Sequence, residues 1–402
     1  MKTSLFGFAV CAAAALVSAV AVAVAVAMAA EPLRIGFLTD MNGPSAINDG
    51  PGSITAARMA IADFGGSVLG RPIELLTGDH HNKPDVGLAT AKEWYTVNGV
   101  DAIMDVNNSA VALGIQSLTR ELNKVFLITG ASSSLLTGKN CTPNSVQWLT
   151  DTYSLSRAAV MPTIADGGKS FYFLTVDYAF GHALQKDATS VLQANGGTLA
   201  GGALHPYATT DFSAYLIQAQ ASGAQVLVFA DSGQDMENAV KQAQEFGVKM
   251  RLVPLLMLIM DVHSVGLDAM HGTRFADVFY WDSNDKNRAW SKRFFEAEHH
   301  MPTALQVDAY RATIHYLQAI QTAGTTEAGA VVRQMKKDPI HDVLGDGGTI
   351  REDGRVIRDM HYYEVKSSAE SKYPWDYYRL IRDIPAAQIY RPLPESECPL
   401  VR

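Results

Sequence analysis

The chain has 402 residues, 48% hydrophobic and 18% charged, with a formal net charge of −8. That composition fits a folded protein rather than a disordered one, and the acidic balance gives no basic footprint for nucleic acid or anionic lipid. The length exceeds the ~250–300 residues at which one hydrophobic core stops growing, so two lobes are expected.

The chain opens as an export signal. Lys2 precedes an apolar run from Leu5 to Ala30, small residues stand at Ala27-Met28-Ala29, and Glu31-Pro32 follows. A short basic start, an apolar stretch and small residues before a cut are what a signal peptidase reads. The expectation is a cleaved signal over residues 1–30 and a periplasmic mature chain; an uncleaved membrane anchor is the alternative, because the run is long enough to span a bilayer. Cys11 leaves with the signal, so Cys141 and Cys398 remain. Two cysteines in an oxidising compartment pair, which predicts a Cys141–Cys398 disulfide.

After the signal, short β-branched runs alternate with amphipathic stretches. Arg34–Leu38 reads as a buried strand, Ser53–Phe64 as a helix, Ile73–Thr77 as a strand and Val86–Val97 as a helix. Ala102–Val106, Ser109–Leu122 and Val125–Thr129 repeat the theme. Such βαβ alternation predicts an α/β fold with a parallel sheet covered by helices on both faces. A second series begins after Asp151, with a helix Asp151–Ala165, strands Phe171–Thr175, Val226–Ala230 and Leu252–Leu256, and helices His182–Asn195 and Met236–Phe246. Beyond Gly272 come longer helices, Asp285–Glu298, Val307–Thr322 and Ala328–Lys337. Gly345-Asp346-Gly347-Gly348 reads as a connection, and Thr349–Val365 as a hairpin turning at Asp353-Gly354.

The chain carries no nucleophile elbow, no His-Glu-x-x-His pair and no P-loop, since the Gly-rich turn Asn48–Ser53 lacks the lysine. No cofactor is expected. Nor is a metal: His80 and His81 fall on opposite faces of a strand, and His299-His300 ends a helix where cations suit the dipole. The informative segments are strand-to-helix turns. Asn107-Asn108-Ser109-Ala110 and Thr129-Gly130-Ala131-Ser132-Ser133-Ser134 each follow a strand. Ligands of parallel sheets bind at those ends, and N–H groups at a helix start favour an anion. Simple capping by Ser and Asn explains the same residues equally well. In the second series, Asp177-Tyr178-Ala179-Phe180-Gly181 and Asp231-Ser232-Gly233 also follow strands.

With these segments in place, the mature chain resembles the periplasmic solute-binding proteins of the leucine/isoleucine/valine class, which feed ABC importers. The resemblance runs through Arg34-Ile35-Gly36, Met41-Asn42-Gly43-Pro44, the turn at Ser109, Ile128-Thr129-Gly130-Ala131 and Asp177–Gly181. It implies two Rossmann-like lobes with parallel sheets, joined by a three-crossing hinge that closes on a ligand. The implied lobes are residues 31–150 with 283–350, and 151–282 with 351–402. The crossings are expected near Thr150, near Ala276–Asp282 and near Thr349–Arg358. The resemblance implies no enzyme, and as partners a small molecule and an inner-membrane permease, with the protein a monomer.

In amino-acid-binding members the carboxylate is held at turns matching Ser109–Ala112 and Ala131–Ser133, which marks Asn108, Ser109, Ala110, Val111, Ala131, Ser132 and Ser133. Asn48 stands near the position of a covering aromatic. The ammonium of an amino acid is held by an acidic residue after the strand matching Leu252–Leu256, where this chain reads Pro254-Leu255-Leu256-Met257-Leu258, with no carboxylate before Asp261. Leu256 and Met257, with Tyr178 and Phe180, are therefore expected to form an apolar wall; Tyr153, Asp231 and Ser232 complete the set. Trp375-Asp376-Tyr377-Tyr378 and Cys398-Pro399-Leu400 look like a subgroup that takes up aromatic carboxylates. The favoured ligand is thus an aromatic or hydrophobic organic acid. A branched-chain or other amino acid is one alternative, a sensor for a separate membrane receptor is another, and an extracytoplasmic hydrolase is a third.

Overall fold

A computed structural model describes residues 31–401; the expected signal and its cut site lie outside them. The first sheet is built from β1 (Leu33–Thr39), β2 (Ser67–Val68), β3 (Arg71–Asp79), β4 (Ala102–Asp105), β5 (Val125–Ile128) and β6 (Ser145–Gln147), in the order β2-β3-β1-β4-β5-β6. All neighbours run parallel except β2 and β3. Helices α1 (Gly50–Phe64), α2 (Pro84–Thr96) and α3 (Ser109–Glu121) connect these strands. β4 and β5 are buried along their whole length; β5 is an unbroken apolar run, and β4 is apolar up to its last residue, Asp105.

Helix α4 (Thr152–Ala165) starts the second series. There β7 (Ser170–Val176), β8 (Thr198–His205), β9 (Val226–Ala230) and β10 (Arg251–Pro254) form a parallel sheet ordered β10-β9-β7-β8. Its helices are α5 (Ala179–Ala194), α6 (Ser213–Ala221), α7 (Gly233–Glu245), α8 (Ile259–Val265) and α9 (Leu267–Met270), followed by β11 (Arg274–Asp277). The chain then returns to the first sheet's side with α10 (Asp285–Glu298), α11 (Ala304–Ala323), α12 (Ala328–Lys337), β12 (Ile340–Asp342), β13 (Gly345–Ile350) and β14 (Val356–Ile357). α11 packs along α1 and is buried over most of its length, so it belongs to the core of the first lobe. It closes with β15 (Met360–Val365), β16 (Tyr378–Ile384) and α13 (Ala386–Ile389).

Two readings need correction. Gly345–Gly348 is not a connection but the start of β13, where a side chain at Gly348 would come within 2.1 Å of the Ile357 carbonyl. Thr349–Val365 is not one hairpin. β14 turns back on β13 through Arg351–Gly354, whereas β15 pairs with β11 and β16 in a separate antiparallel sheet. The chain thus passes between the sheets after β6, between β11 and α10, and between β14 and β15. Arg358, between β14 and β15, ties its passage to the one after β6 and to α11, donating from Nη1 to Asp308 Oδ1 at 2.6 Å and from Nη2 to the Trp148 carbonyl at 3.4 Å.

Cys141 and Cys398 form the expected disulfide, with Cα atoms 5.6 Å apart. It fastens the tail, which leaves β16 and lies along α4, to the loop between β5 and β6. Among the described residues no helix is long and apolar enough to cross a membrane.

Candidate ligand-binding site

The carboxyl ends of the two parallel sheets face a shared cleft. Ser45, Asn48, Asn107, Ser109, Gly130, Ser132 and Leu305 line it from the first lobe, and Tyr178, Phe180, Ser232, Gly233, Leu256 and Leu258 from the second. The cavity between them is ≈ 30 Å³, room for a water or two and not for an organic ligand. The lobes therefore stand shut, and a ligand enters only when the walls part. Several bonds hold them shut, among them Ser134 Oγ donating to Asp187 Oδ2 of α5 at 2.7 Å. Asn48 Nδ2 donates to Asp261 Oδ1 at 2.6 Å, the hydroxyls of Ser45 and Tyr207 meet at 3.3 Å, and Gln234 N–H donates to the Pro44 carbonyl at 3.3 Å.

Local backbone brings the first-lobe donors forward. Asp105 and Val106 leave β4 at φ 82° and 61°, a left-handed pair rare for such residues. That bend presents Asn107. Its Oδ1 accepts the Asp40 N–H at 3.1 Å and the His80 Nε2–H at 2.8 Å. His80 Nδ1 accepts the Asn82 N–H, which fixes the proton on Nε2, and burial holds the imidazole below its ordinary pKa. With Oδ1 doubly used, Asn107 Nδ2 is buried without a partner. Ser109 Oγ accepts the Ser133 N–H at 3.3 Å, which leaves its own proton for another acceptor. Ser132 Oγ is likewise buried and unpartnered. Gly130 is required behind them, because a Cβ there would lie 2.5 Å from Asp49 Oδ2 and 2.7 Å from Asn107 Cα.

Beneath this donor set lies an acidic pair. Burial and neighbouring Asp105 push the Asp49 carboxyl well above the usual range, and burial raises Asp105 to about 6 against the pull of the Thr39 and Thr129 hydroxyls. The pair so holds a proton at mildly acidic pH and places less negative charge behind the cleft than two carboxylates would. On the other wall, Tyr178 packs against Phe180 and Tyr207 with ring centroids 6.0 and 5.5 Å apart. None of the described residues lining the cavity is Asp, Glu, Lys, Arg or His. Behind the lining residue Asn48 stands Asp261, whose carboxyl is pushed up to about 8 by burial and by the charge of Glu237.

Of the residues expected from sequence, Asn48, Ser109, Ser132, Tyr178, Phe180, Ser232 and Leu256 reach the cavity. The others stand elsewhere. Asn108 caps α3, accepting from the N–H groups of Ala110 and Val111. Val111 and Ala131 are packed into the core between α3 and the first sheet. Ser133 is fully buried, its N–H already taken by Ser109. Met257 points into the second lobe's core, since it alternates with Leu256 and Leu258 in an extended segment. Tyr153 stacks on Arg391 of the tail, 4.2 Å from guanidinium to ring. Asp231 is sealed behind the wall, 3.3 Å from His205 Nε2. Burial raises the Asp231 carboxyl; it also pulls His205 down, but the nearby Asp231 carboxylate outweighs it and raises the imidazole.

The sequence reading passed over Asn107, Gly130, Gly233 and Leu258 as ligand residues, although all four lie inside the turn segments it singled out. Ser45 follows the Met41–Pro44 segment directly. Leu305 comes from α11, more than 250 positions from Ser45, and no local signal announced it.

Comparison with known proteins agrees with this geometry. A family model described as periplasmic binding protein matches residues 32–370. A solved periplasmic binding protein from Burkholderia mallei is 42% identical, covering 93% of this chain and 100% of its own, with a TM-score of 0.91. A branched-chain amino acid ABC transporter periplasmic ligand-binding protein from Burkholderia xenovorans is 36% identical, over 92% and 100%, with a TM-score of 0.82. A solute-binding protein from R. palustris in complex with benzoate is 17% identical, over 88% and 97%, with a TM-score of 0.80, a likeness of fold alone. No curated protein matches the chain.

Proposed function

Because the chain belongs to the periplasmic binding protein family, we propose that it captures a hydrophobic or aromatic organic acid outside the cytoplasm and delivers it to an ABC importer. The family binds its ligands and does not convert them. One observation carries the choice of ligand: the cavity offers unpartnered neutral donors and apolar surface, and none of the described residues lining it is charged. Asn107 Nδ2, Ser132 Oγ and the Ser109 hydroxyl suit a carboxylate, which neutral donors stabilise without a counter-charge. Tyr178, Phe180, Leu256, Leu258 and Leu305 suit an apolar body. The ammonium of an amino acid would be buried without an ionised partner at neutral pH, a cost of several kcal/mol.

Branched-chain amino acid binding is the second reading, favoured by the likeness to the branched-chain amino acid ligand-binding protein of Burkholderia xenovorans. It would require Asp261 to give up its bond to Asn48 and ionise against its raised pKa. Calorimetric titration with benzoate, cinnamate and leucine separates the two. Binding of an aromatic acid without leucine supports the first, and binding of leucine alone supports the second.

A further inference from the structure

A second cavity lies at the hinge. At ≈ 480 Å³ it has room for an organic molecule, which the closed cleft has not. Both later passages between the lobes wall it, through Phe279 and Tyr280 and through Ile357 and Arg358, together with Arg311 of α11 and Gly347 of β13. None of its lining residues lines the cleft. Arg311 is 7% exposed, yet its Nη1 is buried with no hydrogen-bond partner. The nearest carboxylate oxygen, Asp342 Oδ2, stands 3.7 Å from Nη1, an ion pair too long for a hydrogen bond, and is unpartnered as well. Gly347 gives the guanidinium its room, since a Cβ there would come within 2.3 Å of Nη1. Arg358 brings a second guanidinium to the wall. Asp308 and the Trp148 carbonyl occupy its Nη atoms, while its Nε is buried without a partner. Asp346 and Asp359 also line the cavity, but both are exposed and engaged, by His341 at 2.8 Å and by the Ala386 N–H at 2.8 Å.

We propose that the hinge cavity is a second ligand site, which takes a small polar organic anion through Arg311. A guanidinium stays charged at physiological pH and carries five N–H donors in a fixed fork, so Arg311 can keep Asp342 beside it and still grip a carboxylate or phosphoryl group by two oxygens. The cleft stands shut in the same conformation in which this cavity stands open. An occupant that fits the cavity as it stands therefore favours the closed form, and by linkage it tightens the hold on whatever the cleft contains. The site reads the hinge because two of the three passages between the lobes are its walls. It does not depend on the identity of the ligand in the cleft.

Citrate, succinate and glycerol phosphate are the probes, since each presents such oxygens and suits the apolar wall of the cleft poorly. Calorimetric titration of the mature protein should show one-to-one binding of at least one of them, and the comparison of carboxylates with the phosphate ester tells the two sources of the anion apart. Small-angle scattering at saturation should show a smaller radius of gyration. Arg311→Met should weaken the binding about tenfold or more, the scale of lost charge-assisted bonds. Ala386→Phe, at a partly exposed position on the same wall, fills the cavity while leaving both arginines in place, and should abolish the binding. Ser132→Ala alters the cleft and should leave the binding of these probes as it is. Failure of all three probes to bind, binding that survives Arg311→Met or Ala386→Phe, binding lost in Ser132→Ala, or binding without compaction overturns the proposal.

Discussion

Asn48 of the first lobe and Asp261 of the second are joined across the cleft by a bond of 2.6 Å from Nδ2 to Oδ1. Both residues are buried, so water does not compete for the bond. Closure and ligand capture are therefore coupled through one side chain. Asp261→Ala should leave the Asn48 amide unpaired in the closed form at a cost of about 1–3 kcal/mol, which raises the apparent Kd roughly 5- to 150-fold for every ligand alike. Small-angle scattering with saturating ligand should then show a smaller closed fraction than the native protein. Unchanged affinity and compaction would remove Asp261 from the clasp.

Neighbouring serines should differ sharply. Ser132 Oγ is unpartnered at the cavity, whereas Ser133 is fully buried and committed to Ser109. Ser132→Ala should weaken binding of an organic acid about tenfold, the scale of one hydrogen bond to a charged group. Ser133→Ala should act mainly on stability. The reverse order in a titration series would place the carboxylate one residue further along.

The Cys141–Cys398 bond closes a separation of 257 residues and holds the tail away from the cavity lining. Cys398→Ser should lower unfolding stability by about 2–5 kcal/mol, as loss of a native disulfide does. Ligand affinity measured below the melting transition should stay within a few-fold. A large loss of affinity would mean that the tail sets the hinge geometry.

Acid should favour this fold. Burial raises Asp105 and Asp235 to about 6, Asp277 to about 7 and Asp261 to about 8, against an unfolded value near 3.9. A group whose folded pKa is raised contributes stability that is full below its unfolded pKa and lost as pH rises through its folded pKa. These four carboxyls thus erode stability between about pH 4 and pH 8. Paired carboxylates such as Asp63 and Glu364 are lowered by Arg293 and by Arg274 and act oppositely below pH 4. The melting temperature should peak near pH 5 and fall towards pH 8, and Asp261→Asn should flatten the fall above pH 6. A melting temperature that rises from pH 5 to 8 would contradict these assignments.

The parallel sheets were legible because β5 and β9 are unbroken apolar runs between periodic helices, a pattern that needs no tertiary context. β13 was not, because Gly345, Gly347 and Gly348 read locally as a loop; what makes them a strand is pairing with β12, and Arg311 and Ile357 leave no room for a side chain at Gly347 and Gly348. The site was legible as turns but not as atoms. Asn107 and Asn108 are adjacent and identical in type, and only the cap on α3 assigns one to the helix while His80 and Asp40 turn the other to the cleft. Ser132 and Ser133 part for the same reason. Asp261 stood in the sequence as the first carboxylate after β10, yet its bond to a residue 213 positions away could not be read from spacing.

The central claim is that the cleft holds an acid with an uncharged body. Mass spectrometry of the ligand released from protein purified in its native state, followed by titration of that compound into ligand-free protein, tests it most directly. The account predicts a hydrophobic carboxylic acid without an amino group, bound one to one, with leucine failing to displace it. Release of a branched-chain amino acid that rebinds tightly, while no aromatic or aliphatic acid raises the melting temperature, would contradict it.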